Sequence, residues 1–202
     1  EGATVRWQDD IIIVGGINTT AALNANRVSR RHMAHGPVAF HNFSGQATHV
    51  YRMTSGAVWR GPDLPVPTNH PGAAVSSAGV VHVLGGYVFG AKCHETPGAT
   101  ATHFAWDFAR NGSTWRALQP MPYPRGAHGC AFLNDGKMYC VGGGEGVVGP
   151  FHSTLQIYDV IQDTWRIGPA MPTPRDHLGH SVVSLAGGSQ LWVFGGRTQM
   201  HE

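Results

Sequence analysis

The sequence predicts an all-β chain assembled from repeated four-stranded antiparallel units, and three observations carry that prediction. First, 28 Gly and 13 Pro punctuate 202 residues of which only 13% are charged, with short runs of Val, Ile, Trp and Tyr between Gly-rich turns. Second, no sustained helical period interrupts these runs. Third, an apolar run ends in a glycine pair four times: "IIIVGG" at Gly16, "VVHVLGG" at Gly86, "KMYCVGG" at Gly143 and "QLWVFGG" at Gly196, at spacings of 70, 57 and 53 residues.

Each unit is then read in order. In the first, "ATVRWQDD" is the opening strand and "IIIVGG" the second; Tyr51 and Trp59 mark two further strands joined at "TSG". The second opens with "AAVSSAGVVHVLGG", two strands around a turn at Ser77 to Gly79, followed by the Trp106 and Trp115 strands about "RNGS". The third runs through "GCAFLNDGKMYCVGG", and Tyr158 and Trp165 flank "IQD". A Pro-rich link follows each Trp: "GPDLPVPTNHP", "LQPMPYPRGAH" and "GPAMPTPRDHLGH". The last two carry Pro-Arg at Arg125 and Arg175, whereas the first has no Arg. A fourth unit stops after its second strand, at "GGRTQMHE".

The glycine pair closing strand two, the aromatic and Trp seven to nine residues apart, and the Pro-Arg before the next strand resemble the kelch repeat, over almost the whole chain. The resemblance implies a kelch-type β-propeller. Its blades would be about 3–61, 70–118 and 125–168, with a partial blade at 175–202, all within one segment, 1–202. Three and a half blades do not close a ring, so the expectation is a segment of a larger propeller of about five to seven blades. The links would pass from the outer strand of one blade to the inner strand of the next, with Trp and Tyr filling the space between blades.

Composition narrows the function classes. A formal charge of +2, with 12 of 14 basic residues Arg, gives no electrostatic case for nucleic acid. The most apolar window, 73–91, is broken by Ser76, Ser77 and His82 and reads as two strands, not a membrane span. Asn18, Asn42 and Asn111 each head a glycosylation sequon, a mild lean toward a secretory history that leaves a cytoplasmic location open. Cys130 and Cys140 flank "FLNDGKMY". A three-residue loop (Asn134, Asp135, Gly136) makes them face each other, whereas a two-residue Asp-Gly turn sends them to opposite faces, so pairing stays open.

In an up-and-down blade, loops 1-2 and 3-4 leave on one face and loops 2-3 and 4-1 on the other. The first set is tight, whereas the second includes 17–48, 87–101 and 144–153, so the 2-3/4-1 face is the expected working face. On it "RVSRRHMAH" gathers Arg27, Arg30, Arg31 and His32, suited to an acidic peptide, carboxylate or phosphate. Arg125 and Arg175 are further partner-binding candidates, although their repetition also fits bonding to loop carbonyls. Glu145 sits at the centre of "GGGEGVVG", which follows a strand but lacks the Lys-Ser/Thr of a phosphate loop. The 13 His, among them His32, His35, His177 and His180, place no third ligand by spacing, so neither metal nor cofactor is expected.

A non-enzymatic interaction or scaffold module with a protein partner or a larger assembly is therefore the leading expectation. The alternative is an enzyme, since galactose-oxidase-like copper enzymes, sialic acid mutarotases and plant iron-dependent specifier proteins are kelch propellers too; no copper ligand matches residue by residue, and Cys93 is the lone loop cysteine. A carbohydrate-binding propeller, with Phe40, Phe43, Tyr87, Phe89 and Phe151 stacking on sugar rings, is the third reading.

Overall fold

The computed structural model describes residues 2–16, 44–88, 98–146 and 149–198; Arg27, Arg30, Arg31 and His32 lie outside the described residues. Three four-stranded antiparallel sheets follow one another. Blade 1 is β1 (Ala3–Trp7), β2 (Asp10–Val14), β3 (Thr48–Arg52) and β4 (Val58–Arg60). Blade 2 is β5 (Gly72–Val75), β6 (Val80–Leu84), β9 (His103–Asp107) and β10 (Arg116–Ala117), with a two-residue pair, β7 (Tyr87–Val88) and β8 (Gly98–Ala99), in its 2-3 loop. Blade 3 is β11 (Gly129–Phe132), β12 (Lys137–Val141), β13 (Leu155–Asp159) and β14 (Thr164–Gly168), and blade 4 is the hairpin β15 (Val182–Leu185) and β16 (Gln190–Val193). The first strands β1, β5, β11 and β15 pack side by side in that order, so the blades are the consecutive sheets of a β-propeller arc.

Alternation along each strand decides which seam a side chain enters. In β6, Val81 and Val83 join Ile12, Val14, Val50 and Trp106 between blades 1 and 2, while Leu84 points the other way, to Met138, Cys140 and Tyr158 between blades 2 and 3. A smaller seam of Val141, Leu178 and Val182 joins blades 3 and 4. The strand-four Trp residues lock the seams: Trp115 Nε1 donates to Pro62 O at 2.9 Å and Trp165 Nε1 to Gln119 O at 2.9 Å, each reaching the link that leaves the preceding blade.

The β11–β12 hairpin settles the loop-length question. Leu133 N donates to Lys137 O at 3.1 Å, closing the three-residue loop, and Cys130 lies opposite Cys140 as a disulfide with Cα atoms 4.2 Å apart. No described helix is long and apolar enough to cross a membrane.

Candidate functional site

Three successive links build the 2-3/4-1 face by one rule. The link residue Thr68, Arg125 or Arg175 donates from its side chain to the first glycine carbonyl of its own blade: Thr68 Oγ1 to Gly85 O at 3.1 Å, Arg125 Nη1 to Gly142 O at 2.8 Å and Arg175 Nη1 to Gly195 O at 2.8 Å. Its carbonyl in turn accepts from the second glycine of the preceding blade: Gly16 N to Thr68 O at 3.0 Å, Gly86 N to Arg125 O at 2.9 Å and Gly143 N to Arg175 O at 2.8 Å. One residue thus pins two blades. The glycine pair is required because Gly85 and Gly86 have φ of +57° and +93°, and a Cβ on Gly85 would stand 2.2 Å from Arg125 O.

The next residue in each link, Asn69, Gly126 or Asp176, exchanges paired backbone bonds with the residue after the glycine pair, Tyr87, Gly144 or Arg197. A third position, His70, Ala127 or His177, has φ of +49°, +57° or +56°. These residues are chained between blades, with Ala127 N donating to His70 O at 2.8 Å and Leu178 N to Ala127 O at 3.0 Å.

At these equivalent positions, blade 2 carries Asn69, His70 and Tyr87, blade 4 carries Asp176, His177 and Arg197, and blade 3 between them carries only Gly126, Ala127 and Gly144. Blade 3 therefore has no side chain larger than a methyl here, and the side chains of its neighbours cover it, leaving Gly126, Ala127 and Gly144 buried. The His70 and His177 rings meet edge to face with centroids 5.1 Å apart. Tyr87 lies over Gly126, where a Cβ would be 2.6 Å from the ring, and its hydroxyl donates to Gly146 O at 3.1 Å. Burial raises the Tyr87 phenol, first and foremost, with the Asp176 charge adding to it.

The blade 4 wall is an ionic cluster. Asp176 is buried; Arg197 grips it through Nε to Oδ1 at 2.8 Å and Nη2 to Oδ2 at 3.0 Å, and His177 Nδ1 lies 2.9 Å from Oδ2. Burial alone would raise the Asp176 carboxyl, but the bonds from His177 and Arg197 outweigh it and hold it below the usual range. Arg197 also sits over the Phe151 ring at 5.4 Å.

Of the residues singled out from sequence, Glu145 is exposed on the blade 3 loop, with His152 Nε2 3.4 Å from Oε1. Its carbonyl accepts from Ala99 N at 3.1 Å, which ties the loops of blades 2 and 3 together. Arg175 is half-buried. Arg125 is 0% exposed and also donates to Thr154 O at 2.9 Å, so a partner resting on the loop face does not reach its guanidinium. Its Nε and Nη2 have no hydrogen-bond partner among the described residues, and burial pushes its pKa down to about 10. His128 is fully buried, and burial followed by the Arg125 charge lowers it to about 3; His180 is exposed and belongs to no cluster among the described residues. Of the sugar-stacking candidates, Tyr87 is buried and Phe151 half-buried, both packed onto the disc, while Phe40, Phe43 and Phe89 lie outside the described residues, as do His35 and Cys93.

His70, Asp176 and Arg197 were not singled out from sequence. Aligning "TNH", "RGA" and "RDH" on the link residue, and "GGY", "GGG" and "GGR" on the glycine pair, would have brought them together. A cavity of about 250 Å³ on β12–β14, lined by Lys137, Asp159, Thr164 and Arg166, is away from this face, and its Lys137–Asp159 pair is already joined.

Comparison with known proteins gives the architecture its relatives. A family model described as the Kelch motif matches residues 124–172, the link and strands of blade 3. The chain is 31% identical over 139 residues to the F-box/kelch-repeat protein OR23 of Arabidopsis thaliana, covering 61% of this chain and 31% of that protein. It is 38% identical over 85 residues to N-(sulfonatooxy)prop-2-enimidothioate sulfolyase of Thlaspi arvense, covering 41% of this chain and 23% of the sulfolyase. The chain thus spans less than a third of either relative's length. The solved structure of YjhT superposes with a TM-score of 0.72 at 12% identity, over 98% of this chain and 61% of that one, a likeness that bears on the fold alone.

Proposed function

The chain belongs to the kelch-repeat proteins, and from that premise we propose that it is a non-enzymatic interaction module whose 2-3/4-1 loop face seats a protein partner or a larger assembly. The observation that carries this reading is the cluster of solvent-reaching polar side chains on this face, the exposed His177 and Glu145 and the half-buried Arg197, standing over a packed layer of Gly126, Ala127, Gly144, His70, Tyr87 and Asp176. The buried layer beneath these side chains is held by backbone bonds from both neighbours, so they stand on a preformed support. They present a hydrogen-bonding imidazole, an Arg edge and the exposed Glu145, a set that reads polar side chains. Arg27, Arg30, Arg31 and His32, in the sequence between β2 and β3, are proposed to extend this face toward acidic groups.

The test changes side chains that reach solvent on this face. His177→Ala keeps a positive-φ backbone that Ala127 adopts, Glu145→Lys reverses an exposed charge, and Gln162→Lys on the opposite face serves as control. Tagged protein is purified with its stoichiometric partners from its native cells. Wild type and control are expected to retain the same partner and the His177→Ala, Glu145→Lys double variant to lose it; equal retention by all three removes the loop face from the interaction.

A second reading, an enzyme, rests on the likeness to the sulfolyase. Iron or copper bound stoichiometrically by the disulfide-intact protein, together with turnover of a thioglucoside-derived or alcohol substrate, would move the reading there. The apolar side chains that blades 1 and 4 leave exposed, Val58, Trp59, Trp192 and Phe194 among them, support the further proposal that additional blades cover these faces.

A further inference from the structure

Outside the loop face, one group of side chains in the seam between blades 2 and 3 has a chemistry that packing does not use. His128 stands at the head of β11, Cys130 two residues on along the same strand face, and Cys140 directly across on β12. One donor atom from each lies within 4.8 Å of the others, and all three residues are buried. Two metal–ligand bonds of roughly 2.0–2.3 Å each span nearly that distance, so small side-chain rotations bring the donors onto one ion.

We propose that reduction of the Cys130–Cys140 disulfide converts this group into a buried three-donor site for a soft monovalent ion, Cu(I), held by two thiolates and one ring nitrogen of His128. Two observations independent of the spacing point there. Both ring nitrogens of His128 are buried without a hydrogen-bond partner among the described residues, an arrangement that an imidazole kept only for packing does not need. The neighbouring Arg125 is a buried cation with Nε and Nη2 equally unpartnered. Thiolate sulfur selects soft ions, and two thiolates with Cu(I) carry a net charge of −1, which offsets the Arg125 charge; Zn(II) in the same place would carry none and prefers a fourth donor.

The chemistry balances with a dithiol as reductant. The dithiol transfers two electrons and two protons: the Cys130–Cys140 S–S bond breaks, both cysteines become thiols, and the dithiol closes to its own disulfide. Cu(I) then displaces both thiol protons to solvent and takes a lone pair from the His128 ring, with no change in its oxidation state. In the oxidised state the sulfurs are bonded to each other and the site is closed to metal.

The first step leaves all three proposed ligands in place. Protein carrying Cys93→Ser, which removes the remaining cysteine, is prepared oxidised and phosphine-reduced, and each form is titrated with Cu(I) against a chromophoric Cu(I) chelator. The reduced form is expected to take one equivalent, with X-ray absorption showing sulfur and nitrogen neighbours, and to keep its near-ultraviolet circular dichroism; the oxidised form should take none. Cys140→Ser and His128→Gln should then weaken binding by roughly 100-fold and 10-fold or more. Equal binding by both redox states, sulfur-only coordination, binding that survives Cys140→Ser, or loss of the native dichroism on reduction would each overturn the site.

Discussion

Blade 1 and blade 3 carry the same aromatic pair and treat it differently. Tyr158 is 1% exposed, and its hydroxyl donates to Asp163 of the β13–β14 turn, whose Oδ1 also accepts from Gln119 N of the link from blade 2 at 3.0 Å. Tyr51, its counterpart on β3, is 39% exposed. Likewise Trp115 of blade 2 is 7% exposed and bonded to the Pro62 carbonyl of the preceding link, whereas Trp59 is 36% exposed, with the Arg52 guanidinium of its own blade 5.2 Å from its ring. The residues are equivalent in sequence, so the difference lies in the neighbour. A propeller blade does not bury its own aromatics; the adjacent blade and its link do, as expected of a repeat fold in which stability is a sum over interfaces.

The largest test of that statement is Arg125. It pins Gly142 and Thr154 from inside the seam, so Arg125→Ala leaves one buried and one part-buried carbonyl without their donor and opens a cavity, a cost of about 3–5 kcal/mol in urea unfolding. Next comes Trp115→Ala, expected to cost about 3 kcal/mol, against about 1 kcal/mol or less for Trp59→Ala. Equal losses at the two Trp positions would mean that blade 1 is stabilised within itself, and the neighbour argument would fail.

Acid separates the seams on a finer scale. Between blades 2 and 3, His103 Nδ1 lies 3.2 Å from Gln119 O and must donate to it, so its Nε2 accepts from His82 Nδ1 at 2.9 Å and the pair is neutral. Burial holds His82 at about 3 and His103 at about 4, below the unfolded value of 6.5. Because the folded values are depressed, the stability they represent is complete above pH 6.5. It is lost as pH falls toward 3 to 4, at up to about 1.4 kcal/mol per pH unit for each imidazole. Among the described residues the buried His are His70, His82, His103 and His128, none of them on a strand of blade 1, whose His49 is exposed. Hydrogen exchange followed by mass spectrometry at pH 7 and pH 5 should therefore show β6, β9 and β12 losing protection ahead of β2 and β3. Uniform loss would show that the two seams open together.

How much of this was legible in the sequence follows from the same physics. The glycine pairs and the strand-four Trp residues repeat because close backbone approach and seam filling admit few residue types, so the fold could be read directly. The link residue was legible only in part. Thr68 looked like a departure from Arg125 and Arg175, yet its hydroxyl makes the same bond to the first glycine carbonyl; what repeats is a donor, not a residue type. The small-residue layer of blade 3, covered by its neighbours' side chains, is a contrast between blades, visible only once the three links are in register. The cysteine pairing depended on a loop length that residue types alone left open, and it was settled by the Leu133–Lys137 bond.

The smallest effects sharpen the point about donors. Thr68→Val keeps the shape of a side chain that is 4% exposed but removes the hydroxyl, leaving Gly85 O without its side-chain donor in the interior, and should cost about 1 kcal/mol. Arg175→Ala removes the equivalent bond to Gly195 O at a position the structure leaves partly exposed, where water replaces the donor, so the loss should be about 0.5 kcal/mol or less. The order Arg125, Thr68, Arg175 in thermal or urea unfolding would then follow burial of the shared carbonyl contact, not the charge of the link residue. Were Arg175→Ala to cost more than Thr68→Val, the guanidinium itself, and not the bond it makes, would be what holds successive blades together.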